Sequence, residues 1–253
     1  LSQDLFNSVQ IDSSPELELL EDRPEDQWIN LLSNMIFPYV RHPSSQIRKI
    51  VKALPEERKK QIFESYIGSR KSKHDRPGRA LEYGYPIQFD LLTGFAEYRD
   101  LQRHRMLTQQ RQDLGIDLGY SVPEEIEEVG MGSKVQECFE RTESLHRDLK
   151  RAGMEQEAQY ATLFNHFIRW NVGMNLRELG HLVELRTQKA GHPKYRRTAQ
   201  MMARHYLKRH PEMEPALQFV DYNDYDGGIT RADQEARTAR KNLASNLFDD
   251  QDD

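Results

Sequence analysis

The sequence predicts an α/β protein of the α+β type, with helices packed around a small sheet. Three observations predict it. Most of the chain repeats apolar residues at helical spacing. Two segments far apart, 81–92 and 164–172, instead alternate apolar and polar residues with period two. The composition, 37% apolar and 30% charged over 253 residues, suits a polar globular chain of one large domain or two small ones.

Taken in order, residues 1–24 read as a polar arm. Leu17, Leu19 and Leu20 offer it a docking point, while Ser13-Ser14-Pro15 and Arg23-Pro24 interrupt regular structure. A helix is expected over Asp26–Asn34, with Trp28, Leu31, Leu32 and Met35 on one stripe. After a loop bounded by Pro38 and Pro43, Ser44-Ser45 caps a short helix carrying Ile47, Ile50 and Val51. Pro55 opens the next helix, with Glu56 and Glu57 in its first turn and Gly68 at its end. Residues 69–79, SRKSKHDRPGR, read as a basic, solvated connection. In the strand 81–92, Pro86 argues against a central position. Helix returns from Thr93 to His104, and Gly119–Pro123 is a loop.

Ser133–Ala152 is an amphipathic helix with Val135, Cys138, Phe139, Leu145 and Leu149 on its stripe and Gly153 at its end. Glu155–Leu163 reads as helix. In the second strand Ile168, Trp170 and Val172 share one side, and Phe167, Arg169 and Asn171 the other. Asn175–Thr187 and Tyr195–His210 are helical. From Asp221 to Asp253 the chain is a polar tail, with a disordered end expected. The expected organisation is an arm 1–24, a domain 25–220 and a tail 221–253.

Charge and composition narrow the function. A formal net charge of −5, from 36 basic and 41 acidic residues, argues against bulk attraction to nucleic acid or an anionic membrane. No apolar run approaches the roughly 20 residues that span a bilayer. No signal peptide is recognisable, and a start at Leu1 rather than Met reads as a domain of something longer. A single cysteine, Cys138, leaves no internal disulfide and fits a reducing cytoplasm. His166, His192, His205 and His210 lack metal-ligand spacing and read as surface or satisfied histidines, so no metal site is expected. Glycine-rich phosphate loops and nucleophile elbows are absent as well.

Two clusters remain. Arg103-His104-Arg105 puts three cationic or potentially cationic groups where a helix pattern stops, and a helix C-terminus offsets part of their repulsion. It is either a solvated basic helix end or a clamp for phosphate or pyrophosphate, which guanidinium groups bind in bidentate fashion. The second cluster is Asn175-Leu-Arg-Glu-Leu-Gly-His-Leu-Val-Glu-Leu-Arg186. Asn175 is a natural N-cap, Leu176, Leu179, Leu182 and Val183 form the apolar stripe, and Arg177 and His181 share another face. Arg186 falls about half a turn away from Arg177, so the two serve different ligands or different ends of one site.

Together the clusters resemble the flavin-dependent thymidylate synthases, the ThyX family. Its signature RHRxxSxNExSxR is followed well downstream by a helix with the pattern NxRxxxHxxxxR. The first segment here reads Arg103-His-Arg-Met-Leu-Thr-Gln-Gln-Arg-Gln-Asp-Leu-Gly115 and matches at its RHR; the second matches at all four marked positions. The resemblance covers about residues 75–210. It implies the thymidylate synthase-complementing fold, with a small mixed or antiparallel sheet, and a homotetramer that binds FAD between subunits. The implied reaction transfers a methylene group from methylenetetrahydrofolate to dUMP and reduces it with a hydride from NADPH through the flavin. It also implies that Arg103, His104 and Arg105 hold the flavin or lie beside the nucleotide, and that Asn175, Arg177 and His181 contact the flavin. Arg186 would lie at the uracil end of the nucleotide, where a cation polarises the base.

The departures fall on the nucleotide phosphate. The signature's first Ser is Thr108, its Asn is Gln110, its Glu is Arg111, its second Ser is Asp113 and its last Arg is Gly115. Asp100 stands where the family commonly has Gln, and Gln159 where an Arg is expected. Each lost charge-assisted contact removes about 1.5–3 kcal/mol, so two weaken a dianion by roughly a hundredfold or more. The expectation is a ThyX-like protein with a rewritten phosphate site and weak, altered or absent synthase activity. The alternative is a non-catalytic assembly or regulatory domain, one part of a longer two-domain protein.

Overall fold

The alternating segments pair with each other. In the computed structural model, which describes residues 16–19, 25–36, 39, 44–82 and 87–225, β1 (Leu17–Leu19), β2 (Ile87–Gly94), β3 (Thr108–Arg111) and β4 (Phe167–Met174) form one sheet. The strand order is β1-β2-β4-β3 and every pairing is antiparallel. The two long strands are central, with Ile87 opposite Met174 and Gly94 opposite Phe167. Along β4, burial alternates as expected: Ile168, Trp170, Val172 and Met174 are buried and face Ile87, Phe89 and Leu91 in the core. Burying each such side chain contributes about 1.5–3 kcal/mol. The Trp170 indole N–H donates to Thr93 Oγ1 at 3.0 Å, so its polar atom is satisfied inside.

The helices are α1 (Glu25–Ile36), α2 (Ser44–Lys52), α3 (Glu56–Ile67), α4 (Phe95–Leu101), α5 (Glu124–Glu128), α6 (Gly132–Arg151), α7 (Glu155–Ala158), α8 (Leu176–Arg186) and α9 (Pro193–Arg209). Trp28, Leu31, Leu32 and Met35 of α1 and Phe63 of α3 join the same core as Leu176, Leu179, Leu182 and Val183 of α8. No described helix is long and apolar enough to cross a membrane. The expected α+β arrangement is therefore the one observed.

Several details differ from the sequence reading. Leu17–Leu19, placed in an irregular arm, is an edge strand, because both leucines bury against β2 while the flanks stay polar. The first expected strand begins late: Arg79–Glu82 is a 3-10 turn, 83–86 lies outside the described residues, and β2 runs from Ile87 to Gly94. This shortens the following helix to Phe95–Leu101. β3 was not foreseen, because Thr108-Gln-Gln-Arg111 has no apolar alternation.

In α6 the buried positions are Phe139 and His146, two turns apart, while Cys138 and Leu145 are exposed. The expected stripe was thus one position out of phase at Leu145. The helix expected to reach Leu163 is α7 followed by a 3-10 turn over Gln159–Ala161. The start of the expected tail is fixed: Arg196 and Gln200 donate to the carbonyls of Asn223 and Asp221 at 2.9 and 2.8 Å. Residues 226–253, with the expected disordered end, lie outside the described residues.

Candidate functional site

The sequence fixes the start of α8. Asn175 Oδ1 accepts the Glu178 backbone N–H at 2.9 Å, the N-cap bond its side chain predicts. From that origin Arg177, Glu178, His181, Glu184 and Arg186 take their places along eleven residues of helix. The segment after α4 then meets α8 through one residue. His104 is buried, its Nδ1–H donates to Glu178 Oε1 at 3.0 Å, and its Nε2 accepts the Arg186 Nε–H at 2.9 Å. These two partners assign the proton to Nδ1. The His181 ring stands edge-on to His104, with centroids 5.5 Å apart. Arg186 also donates from Nη2 to the Asp100 carbonyl at 2.8 Å and lies over the Tyr195 ring at 5.5 Å.

Beside this junction is a cavity of about 280 Å³. Asn175, Arg177, Glu178 and His181 form one wall, and the 69–79 segment forms the other with Arg70, Lys73 and Arg76. Most of that segment is exposed, as its composition suggests, but the Arg70 side chain is taken inside. Arg70 makes a buried, two-pronged ion pair with Glu184, at 2.7 and 2.6 Å, and donates to the carbonyls of Ala216 and Asp75 at 3.2 and 2.7 Å. Its guanidinium packs 5.0 Å from the Phe219 ring centroid. The pair needs such extra bonds, because two desolvated charges repay their hydration only when the remaining donors are satisfied.

Charge bookkeeping gives the cavity its sign. Its three carboxylates are each engaged: Glu184 by Arg70, Glu178 by His104 and Glu82 by Arg177. Lys73 and Arg76 are in no ion pair among the described residues. Burial pushes the His181 imidazole below its ordinary value; Glu178 opposes this, while His104 and Arg76 add to it. Glu178 keeps its charge beside the neutral His104 and offsets one of the two unpaired cations, Lys73 and Arg76, so the lining of the cavity remains net positive.

A second, shallow cavity of about 340 Å³ lies by β3. Arg111, Leu114, Glu157, Gln159 and Tyr160 line it. The Leu114 N–H is taken by Gln159 Oε1 at 3.0 Å, and Arg111 Nη1 donates to the neighbouring Gln112 carbonyl at 2.9 Å. Asp113 is exposed. Two of the positions that depart from the family pattern, Arg111 and Gln159, thus line one cavity.

A family model described as thymidylate synthase complementing protein, Thy1, matches residues 37–212. The chain belongs to that family. It is 39% identical over 202 residues to a UPF0159 protein of Chlamydia muridarum, a match that covers 80% of this chain and 37% of that protein. A UPF0159 protein of Chlamydia pneumoniae is 34% identical over 237 residues, covering 94% and 44%. One from Thermoplasma acidophilum is 28% identical over 214 residues, covering 84% and 42%. The chain spans less than half the length of these relatives. Among solved structures, a UMP/dUMP methylase, PolB, from Streptomyces cacaoi superposes with a TM-score of 0.62 at 14% identity, covering 81% of this chain and 94% of that one. At that identity the likeness concerns the fold.

Within this thymidylate synthase complementing fold, His104, Asn175, Arg177, His181 and Arg186 gather around α8. Arg103 and Arg105 make no hydrogen bond or ion pair with α8 among the described residues. Both are exposed, and Arg103 pairs with Asp100 at 3.3 Å on the surface, where such a bridge contributes little. The sequence reading missed Arg70, Lys73, Arg76, Glu178 and Glu184. The density of cations in 69–79 was the available signal for the first three; nothing local marked the two glutamates as buried.

Proposed function

We propose that this chain is a flavin-binding, nucleotide-modifying protein of the ThyX type whose nucleotide phosphate site is rewritten. The observation that carries the reading is the junction of 103–105 with 175–186 through His104, beside a cavity whose spare charge is cationic. The residues fit the group. Lys73 and Arg76 supply the charge a diphosphate needs, and Asn175, Arg177 and His181 line the same space. A volume of about 280 Å³ is at the low end for a cofactor site, in keeping with one chain holding part of an FAD that neighbouring chains complete.

When bound, FAD supplies the hydride relay of the family. The chain's own residues hold it: Lys73 and Arg76 neutralise phosphate, and His181, kept neutral by burial, offers a hydrogen bond without adding charge. Glu157 lines the second cavity, and Asp113, two residues beyond β3, replaces a Ser of the family signature; in this reading dUMP bound in the family manner is disfavoured and thymidylate synthesis is weak, altered or absent. NADPH and methylenetetrahydrofolate are used only if the family reaction survives. The assembly in this reading is a homotetramer, and the compartment a reducing cytoplasm.

Titration with FAD tests it. The purified protein is expected to turn yellow and show the flavin absorbance band. Replacing Lys73 and Arg76 together with Ala should weaken FAD by about a hundredfold while leaving the melting curve in place, since neither side chain is buried. A colourless protein that ignores excess FAD overturns the reading. It would favour the second one, a non-catalytic assembly or regulatory domain, which the greater length of the relatives supports.

A further inference from the structure

Three of the arginines that contact α8 or belong to it, Arg70, Arg177 and Arg186, are held differently. Arg70 and Arg177 each face a carboxylate. Arg186 is fixed by three groups that carry no charge: the lone pair of His104 Nε2 at 2.9 Å, the Asp100 carbonyl at 2.8 Å and the face of Tyr195 at 5.5 Å. Among the described residues no carboxylate pairs with it, and its Nη1 edge makes no hydrogen bond. It is therefore an immobilised guanidinium with its full charge and one unused edge. Such a group suits a ligand carbonyl or enolate oxygen that gains negative charge, because it costs no reorganisation when that charge develops.

His104 can accept from Arg186 only if its own proton sits on Nδ1. A neutral imidazole in water distributes that proton between both nitrogens. Here Glu178 settles it: Oε1 lies 3.0 Å from Nδ1 and takes that N–H. Glu178 is itself placed by α8, since its backbone N–H is the one Asn175 caps. The order of command runs Asn175, Glu178, His104, Arg186. We propose that Glu178 is a positioning residue: by fixing the Nδ1–H tautomer of His104 it holds the free edge of Arg186 ready for a nucleobase carbonyl. The proposal rests on the nucleotide reading above for its ligand, but not for the link from Glu178 to His104.

Two measurements on the full chain separate these parts. Long-range proton–nitrogen NMR reports the tautomer of His104, identified by its absence in His104→Gln. The wild type is expected to carry the proton on Nδ1; a proton on Nε2 overturns the proposal at once, whatever the variants do. Glu178→Ala should give mixed tautomers and weaken dUMP binding by calorimetry about tenfold, the scale on which loss of a supporting partner acts. Glu178→Gln keeps an acceptor for Nδ1–H and should restore the tautomer and most of the affinity. A folded Glu178→Ala protein with an unchanged tautomer overturns the link. A shifted tautomer with unchanged dUMP affinity overturns the role of Arg186. If the wild type binds neither dUMP nor deoxyuridine, which carries no phosphate, while the tautomer still follows Glu178, the nucleotide reading fails and the positioning chain stands.

Discussion

The α8 side and the β3 side of this molecule treat polar groups in opposite ways. At α8, charge is taken inside and matched: Arg70 with Glu184, His104 with Glu178, both nitrogens of His104 bonded. At β3, Arg111 and Asp113 are exposed, and hydrogen-bonding capacity is spent on the chain's own backbone. The buried histidine behind β3, His166, has its Nδ1 bonded to the Leu163 N–H at 2.9 Å and its Nε2 without a hydrogen-bond partner. His104, which matches the family signature, lies where burial makes each partner necessary, whereas Arg111 and Asp113, which depart from it, lie where water can replace a lost one.

The sharpest way to break this comparison is Arg70→Ala. It strands the Glu184 carboxylate in the interior, and breaking a buried pair from one side costs about 3–5 kcal/mol. Urea denaturation reads the loss; a change under about 1 kcal/mol would mean that the pair is not closed in solution and the two sides do not differ as described.

On the β3 side the test is gain rather than loss. Asp113→Ser with Gly115→Arg restores the last two signature positions, and dUMP should bind about ten- to a hundredfold more tightly by calorimetry. A side chain fits at Gly115, whose nearest obstacle is Asp117 Oδ2 at 3.4 Å from an added Cβ. Unchanged affinity would show that these positions do not face the phosphate. Micromolar dUMP binding by the unaltered chain would show that the drift was not disabling.

The smallest effect is pH dependence. Burial pushes the His166 imidazole below its ordinary value, against a smaller upward pull from Glu143. The unfolded chain takes up a proton as pH falls through about 6.5, and the folded chain does so only lower, so stability is full above about 6.5 and falls below it. His166→Gln should flatten the curve between pH 7.5 and 5.5 by at most about 1.4 kcal/mol per pH unit. Identical slopes in variant and wild type would place that proton elsewhere.

What could be read in the sequence follows the same division. α8 was legible because Asn175 is a local cap and four apolar residues repeat behind it. β4 was legible from its alternation alone. Family membership came from residues 175–186, where pattern and burial coincide. The contents of the site were less legible. Arg70 looks like any loop arginine until Glu184, far along the chain, folds over it. Glu178 looks like a solvated helix charge until His104 arrives. β3 and β1 escaped because one is polar throughout and the other is three residues long between breakers. Each depends on a partner distant in sequence, and neither composition nor periodicity carries that information.

The central pairing also bears on how the chain reaches this state. Ile87 must find Met174 and Gly94 must find Phe167, with β3, α6 and α7 lying in the chain between them. A loop that long is costly to close before its contacts reward it. On a ribosome β2 has only the three-residue β1 to pair with until β4 has emerged, and its other edge waits unpaired meanwhile. Refolding is therefore expected to be slow for a domain with so much helix, with sheet closure and the seating of α8 as the late, shared step.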